Sequence, residues 1–181
     1  MKIINNIINK KAIPVFLSAG KEDFPSLDVA ILSIKDNVSK KRAYAVYILH
    51  DGMDFPLQRT ISRHADKKFA INFIDVSDYQ DSDAAYRAIL PTLFPHLEKA
   101  LYFKCNVVAL ADVAELYNAS FEREPSIVRT PMLLDYNTSK KPWYYTDVPY
   151  QDYFWKYAVQ SAFYEEFLSR LRGFSEQKNA G

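Results

Sequence analysis

Side chains suited to chemistry are sparse in this 181-residue chain. The three histidines, His50, His64 and His96, stand far apart, and none lies at the spacing of a metal-binding pair. Each reads as a surface or loop residue. Cys105 is the single cysteine, which excludes an intramolecular disulfide and any multi-cysteine zinc or iron–sulfur site. It lies among strand residues and reads as a buried thiol rather than a nucleophile. With only four glycines, Gly20, Gly52, Gly173 and Gly181, neither a G-x-G-x-x-G loop nor a Walker loop can form, so classical dinucleotide and P-loop chemistry are excluded. There is no G-x-S-x-G elbow. Carboxylates are plentiful, notably Asp51, Asp75, Asp78, Asp81, Asp83 and Asp135, but spacing alone does not make any of them converge, and scattered carboxylates are usually solvated.

The densest chemical feature is aromatic. Residues 143–167 hold eleven aromatic side chains, from Trp143 to Phe167, against a chain average of 15%. Core packing of two short helices is the leading reading. An exposed patch for a partner protein, for self-association or for a membrane interface is the other, because large apolar surfaces rarely lack a role.

The elements that must position these residues alternate. Ile13–Ala19 is a nearly continuous apolar run, the pattern of a strand buried on both faces of a parallel sheet. From Ser26, a candidate cap, Leu27, Ala30, Ile31 and Ile34 recur at helical spacing. Tyr44–Leu49 reads as a second strand followed by a turn at His50-Asp51-Gly52, Pro56–His64 as a short helix, and Ile71–Val76 as a third strand. Ala84–Leu90 is helical in character and interrupted by Pro91 and Pro95; Ala100–Phe103 with Val107–Leu110 supplies a fourth strand and its extension. Such alternation specifies βα units in a mostly parallel, doubly wound sheet, whose ligands bind beyond the carboxyl ends of the strands.

Residues 119–150 carry four prolines and read mostly as loop, with a possible strand at Ser126–Arg129. Gln151–Ala158 and Ala162–Arg172 read as helices, the second capped by Ser161 and stopped by Gly173. One domain spans 1–174, with 175–181 as a disordered tail. There is no internal repeat.

Composition narrows the classes further. The chain is 49% hydrophobic and 25% charged, with 23 basic against 22 acidic residues, so no global field attracts nucleic acid or an anionic membrane. Asn5, Asn6, Asn9, Lys10 and Lys11 break the amino-terminal apolar stretch short of a signal-peptide core, and no run approaches a membrane span. With a lone cysteine, a cytoplasmic protein is expected, with peripheral membrane contact as a variant.

Taken in order, these blocks resemble the family 8 glycosyltransferases. IPVFLSA at 13–19 with Pro25, Leu27, Val29, Ala30 and Ile31 resembles the family's first strand and helix. YAVYILHDG at 44–52 and INFIDVSDY at 71–79 resemble its second and third strands, and AAYRAILPTLFP at 84–95 its next helix. KALYFKCNVVALADVAELYN at 99–118 resembles its metal-motif segment, while LLDYNTSKKPWYYTDVPYQDYFWKYA and AFYEEFL resemble its closing segment. The resemblance implies a GT-A, Rossmann-like α/β fold that binds a nucleotide-diphospho-sugar, and transfer of a hexose to a glycan or lipopolysaccharide acceptor with a divalent metal, usually manganese.

Against that pattern, the metal motif Asp-x-Asp falls on Lys104, Cys105 and Asn106, and the later metal-binding histidine falls on Asp135. The nucleotide-contacting Asp and Asn of the first βα turn fall on Gly20 and Glu22. Arg87 and Lys141 match the family's anion-side arginine and diphosphate-contacting lysine. The implied nucleotide-sugar residues are therefore Ala19, Arg87, Lys104, Asn106 and Lys141, with no metal expected at Lys104, Asn106 and Asp135. An ammonium in place of a carboxylate exchanges a ligand for a like charge. Only residues 119–134 separate the metal segment from the closing segment, where the family carries a long acceptor-binding stretch, so no catalytic residue is assigned.

Three functions stay open: a degenerate glycosyltransferase-like domain inactive as a metal-dependent enzyme; a hexosyltransferase in which Lys104, Lys141 and Arg87 neutralise the diphosphate instead of metal; and an interaction module acting through aromatic residues within 143–172.

Overall fold

The computed structural model describes residues 11–79, 83–119 and 131–179. Four strands form a parallel sheet: β1 (Ala12–Ala19), β2 (Ala43–His50), β3 (Phe69–Asp75) and β4 (Leu101–Lys104), in the order β3-β2-β1-β4. In register, Ala19 pairs with His50 and Ser18 with Lys104, so the carboxyl ends of β1, β2 and β4 form one edge.

Alternation along β1 and β2 builds the two faces. Val15, Leu17, Val46 and Ile48 point to one side, where they pack with Leu27, Ile31 and Ile34 of α1 (Phe24–Asn37) and Ile61 of α2 (Phe55–Ser62). Phe16, Tyr47 and Leu49 point to the other, against Tyr86 of α3 (Asp83–Leu93) and Phe94. Helices thus cover both faces, which is why the strands read as continuous apolar runs. The Phe16 and Tyr47 rings stack at 4.9 Å, and Phe94 meets both edge-on.

Helix α1 departs from the expected one-sided pattern. It starts at Phe24, two residues before Ser26, because Pro25 suits the first helical turn; Ser26 lies inside and its hydroxyl donates to the Asp23 carbonyl. It is buried on two faces. One meets the sheet, and the other, through Val29, meets a separate core of Val108, Tyr136, Trp143, Phe154 and Phe167. The polar side chains between these faces are satisfied: the Ser33 hydroxyl donates to the Ala30 carbonyl and accepts from the Ala109 N–H.

Other expectations are corrected. Pro91 lies inside α3 rather than ending it; one ladder bond is lost, and the ladder resumes where the Phe94 N–H donates to the Leu90 carbonyl. Val107–Ala109 is not an extension of β4. It is β5, and it pairs antiparallel with β6 (Leu133–Asp135), a strand inside the segment read as loop. The chain leaves the parallel sheet at Cys105-Asn106 because the Cys105 N–H still bonds to the Ser18 carbonyl while the Asn106 carbonyl accepts from Tyr136. The possible strand at Ser126–Arg129 lies outside the described residues.

A short helix α4 (Ala114–Asn118) follows β5, and α5 (Gln151–Ala158) lies where the spacing places it. Helix α6 (Tyr164–Asn179) passes through Gly173 instead of stopping there, since no left-handed cap forms at that glycine. Trp143, Phe154, Tyr157 and Phe167 are buried, so the aromatic segment is chiefly core packing; Tyr150 and Tyr153 are its exposed members. Among the described residues, no helix is long and apolar enough to cross a membrane.

Candidate functional site

Strand order reverses between β1 and β4, and a parallel sheet opens a crevice beyond its carboxyl edge at such a point. A cavity of about 320 Å³ lies there. Its wall comes from the end of β1 and the following turn (Ala19, Gly20, Asp23), from the β4–β5 turn (Lys104, Asn106), and from Lys141 in the closing segment. Four of the five expected nucleotide-sugar residues, Ala19, Lys104, Asn106 and Lys141, are thereby brought together.

Arg87 is not part of that wall. It is exposed on α3, with its guanidinium 5.8 Å from the centre of the Tyr102 ring, whereas its neighbour Tyr86 is buried and lines the cavity. Asp135 is exposed at the end of β6, near enough to raise the proton affinity of Lys141.

Lys141 is held in place by its ammonium, which donates to the Tyr136 carbonyl at 2.5 Å and lies 5.8 Å from the centre of the Trp143 ring. Burial lowers its pKa, opposed by the charges of Asp23 and Asp135. Asp23 shows the reciprocal pattern: burial raises its pKa, and Lys141, Arg170 and Lys104 oppose the rise. An incoming anion would therefore find two ammonium groups and one carboxyl group sharing a partly dry space.

Asn106 supplies the most directional feature. It is only 8% exposed, it lines the cavity, and its Oδ1 has no hydrogen-bond partner among the described residues. A buried amide oxygen left unpaired costs about 1–3 kcal/mol, which a hydroxyl or amine donor on a ligand would recover.

Sequence reasoning missed Asp23, Tyr86 and Asn137, all of which line the cavity. The position of Asp23, four residues past the end of a predicted strand in a parallel sheet, was the available signal. One histidine departs from the surface or loop reading: His50 ends β2, is 2% exposed, accepts the Met53 N–H at Nδ1 and has its pKa lowered by burial; His96 is exposed in a turn, and His64 lies in a partly exposed turn with its Nε2 2.6 Å from the buried carboxyl of Asp28. His50 and His64 serve packing away from the cavity. Cys105 is buried beneath the cavity, and burial pushes its thiol up to about 12, which disfavours the thiolate.

These residues do not fit a divalent cation. Of the three positions the resemblance implies, Lys104 is cationic, Asn106 is neutral, and Asp135 does not line the cavity.

With this geometry in hand, comparison with solved structures decides the fold. The apo structure of the bifunctional glycosyltransferase WbbM superposes with a TM-score of 0.56 at 20% identity, over 65% of this chain and 22% of that one. The galactosyltransferase LgtC, solved in complex with donor and acceptor sugar analogs, superposes with a TM-score of 0.50 at 16% identity, over 60% of this chain and 43% of that one. The fold is GT-A glycosyltransferase-like. The GT-A-like chain spans less than half of either enzyme. No protein-family model matches its sequence, and no curated protein matches it.

Proposed function

We propose that this GT-A-like domain binds a nucleotide-diphospho-sugar whose diphosphate is neutralised by Lys104 and Lys141 rather than by a divalent metal. The observation that carries the reading is the cavity itself: two lysines and the unpaired Asn106 Oδ1 at the carboxyl edge of β1 and β4. Each ammonium group within about 4 Å of a phosphate oxygen contributes on the order of 1–4 kcal/mol of attraction, according to the local dielectric. Asn106 Oδ1 then accepts from a sugar or ribose hydroxyl, and Asp23 is placed to accept from a second.

Among the described residues that wall holds no histidine and a single carboxyl group, Asp23, whose charge is countered by Lys141, Arg170 and Lys104. With the metal positions taken by Lys104, Asn106 and Asp135, the domain works as a family 8-like binding unit impaired as a metal-dependent transferase. The acceptor half comes from elsewhere. A second reading, association with another copy or a partner through residues 143–172, is supported by Tyr150 and Tyr153, which are 64% and 44% exposed.

Calorimetric titration with uridine diphosphate and uridine diphosphate hexoses, with and without manganese, tests the binding. We expect binding that manganese leaves unchanged and that Lys104→Ala with Lys141→Ala weakens at least tenfold. Binding that requires manganese, or that survives the loss of both lysines, contradicts the proposal.

A further inference from the structure

The opposite edge of the parallel sheet carries a second, larger cavity of about 720 Å³. It opens where β2 and β3 begin, at Tyr44 and Phe69, and shares no wall residue with the cavity at the carboxyl edge. Its floor is apolar, with Leu32 and Val38 beside the buried rings of Tyr44, Phe69 and Tyr157. Its rim is cationic.

Five cations line it against two carboxylates, on a chain whose net charge is only +1. Both carboxylates are already engaged. Asp66 pairs with Lys35 at 3.2 Å and accepts from the Lys68 and Phe69 N–H groups; Asp36 pairs with Lys156 at 3.1 Å and accepts from the Tyr157 hydroxyl. These contacts hold the pKa of each below the usual carboxylate range. Lys68 donates to the Lys40 carbonyl, which ties the two basic loops, 39–42 and 66–68, side by side. Lys40, Arg42 and Lys67 are left exposed around the floor.

A floor of apolar and aromatic groups with a rim of one charge sign is complementary to a ligand that has both parts. We propose that this groove is a second ligand site for an amphipathic anion, whose apolar body lies over the half-buried Leu32 and Val38 while its phosphate is held by Lys40, Arg42 and Lys67. The volume lies within the range of small-molecule sites. The inference stands apart from the nucleotide-sugar reading, since the two cavities face opposite edges.

The test is calorimetry on the full chain with monomeric decyl phosphate, inorganic phosphate and octyl glucoside, which present charge with tail, charge alone and tail alone. We expect decyl phosphate to bind at least tenfold more tightly than either of the others. The exposed pair Arg42→Glu with Lys67→Glu should weaken it at least tenfold, and Lys104→Ala should leave it unchanged. Circular dichroism of the charge-reversal variant establishes that it is folded, and Lys40→Gln gives a milder loss in the same direction. The proposal is overturned if decyl phosphate does not bind, if inorganic phosphate binds equally well, if charge reversal has no effect, or if only vesicles of phosphatidylglycerol bind.

Discussion

The Ser161 hydroxyl donates to Asp28 Oδ2 across 2.6 Å, joining the turn before α6 to the interior of α1 over a separation of 133 residues. Asp28 is fully buried, and its other oxygen faces His64 Nε2 at 2.6 Å. One carboxyl group thus ties the end of α2 and the aromatic closing segment to the central helix. Asp28→Ala would strand the Ser161 hydroxyl and remove the partner of His64. Urea denaturation should show a loss of about 3 kcal/mol, and a loss below about 1 kcal/mol would mean that the junction is held by apolar packing alone.

The aromatic closing segment should respond to mutation as core rather than as surface. Phe167 is fully buried, with the Phe154 ring 5.1 Å away and Trp143 and Trp155 beyond it. Phe167→Ala should destabilise by about 3–5 kcal/mol, whereas Tyr153→Ser should stay within about 0.5 kcal/mol. Thermal melts of the two variants side by side make the comparison. If the parent also self-associates in light scattering, Tyr150→Ser with Tyr153→Ser should weaken that association without lowering its melting temperature.

The metal question has its own experiment. Lys104→Asp with Asn106→Asp and Asp135→His restores the ligand types implied by the family resemblance, two of them on the cavity wall. Manganese affinity by calorimetry should rise at least tenfold over the parent. Turnover of a nucleotide sugar onto an added acceptor should remain absent, and robust turnover would show that residues 119–134 suffice for the acceptor half.

Alkaline pH should destabilise the fold through its buried acids. Burial raises the Cys105 thiol from 9.0 to about 12 and the Tyr136 phenol from 10.0 to about 12; burial and the Asp112 contact push Tyr44 up further. For each, the folded pKa lies above the unfolded one, so the unfolded state loses its proton first. Their stabilisation is complete below about pH 9 and is lost as pH rises toward 12. Urea midpoints between pH 7 and 11 should fall only over the upper part of that range. At pH 8 a thiol reagent should modify Cys105 at the rate of unfolding, and rapid stoichiometric labelling of the native protein would contradict its burial.

Much of the fold was legible locally. The apolar runs at 13–19 and 44–49 had to be strands of a buried parallel sheet, because continuous hydrophobicity in short β-rich stretches has few other uses, whereas 71–76, interrupted by Asn72 and Asp75, falls on the partly exposed edge strand; the helical spacing between the strands set the doubly wound pattern. Lys104, Asn106 and Lys141 could be placed together because the loops after parallel strands converge on one edge, and because the ordered blocks resembled a known family. What local pattern could not supply was anything that depends on two distant segments meeting. The second buried face of α1, the antiparallel pairing of β5 with β6, and the burial of Asp28 against His64 and Ser161 each arise only when residues beyond 130 fold back over the central helix. Asp23 and Asn137 acquire a shared cavity, and Asn106 an unpaired buried oxygen, for the same reason: burial and electrostatic neighbourhood belong to the packed chain, and one-dimensional spacing carries neither.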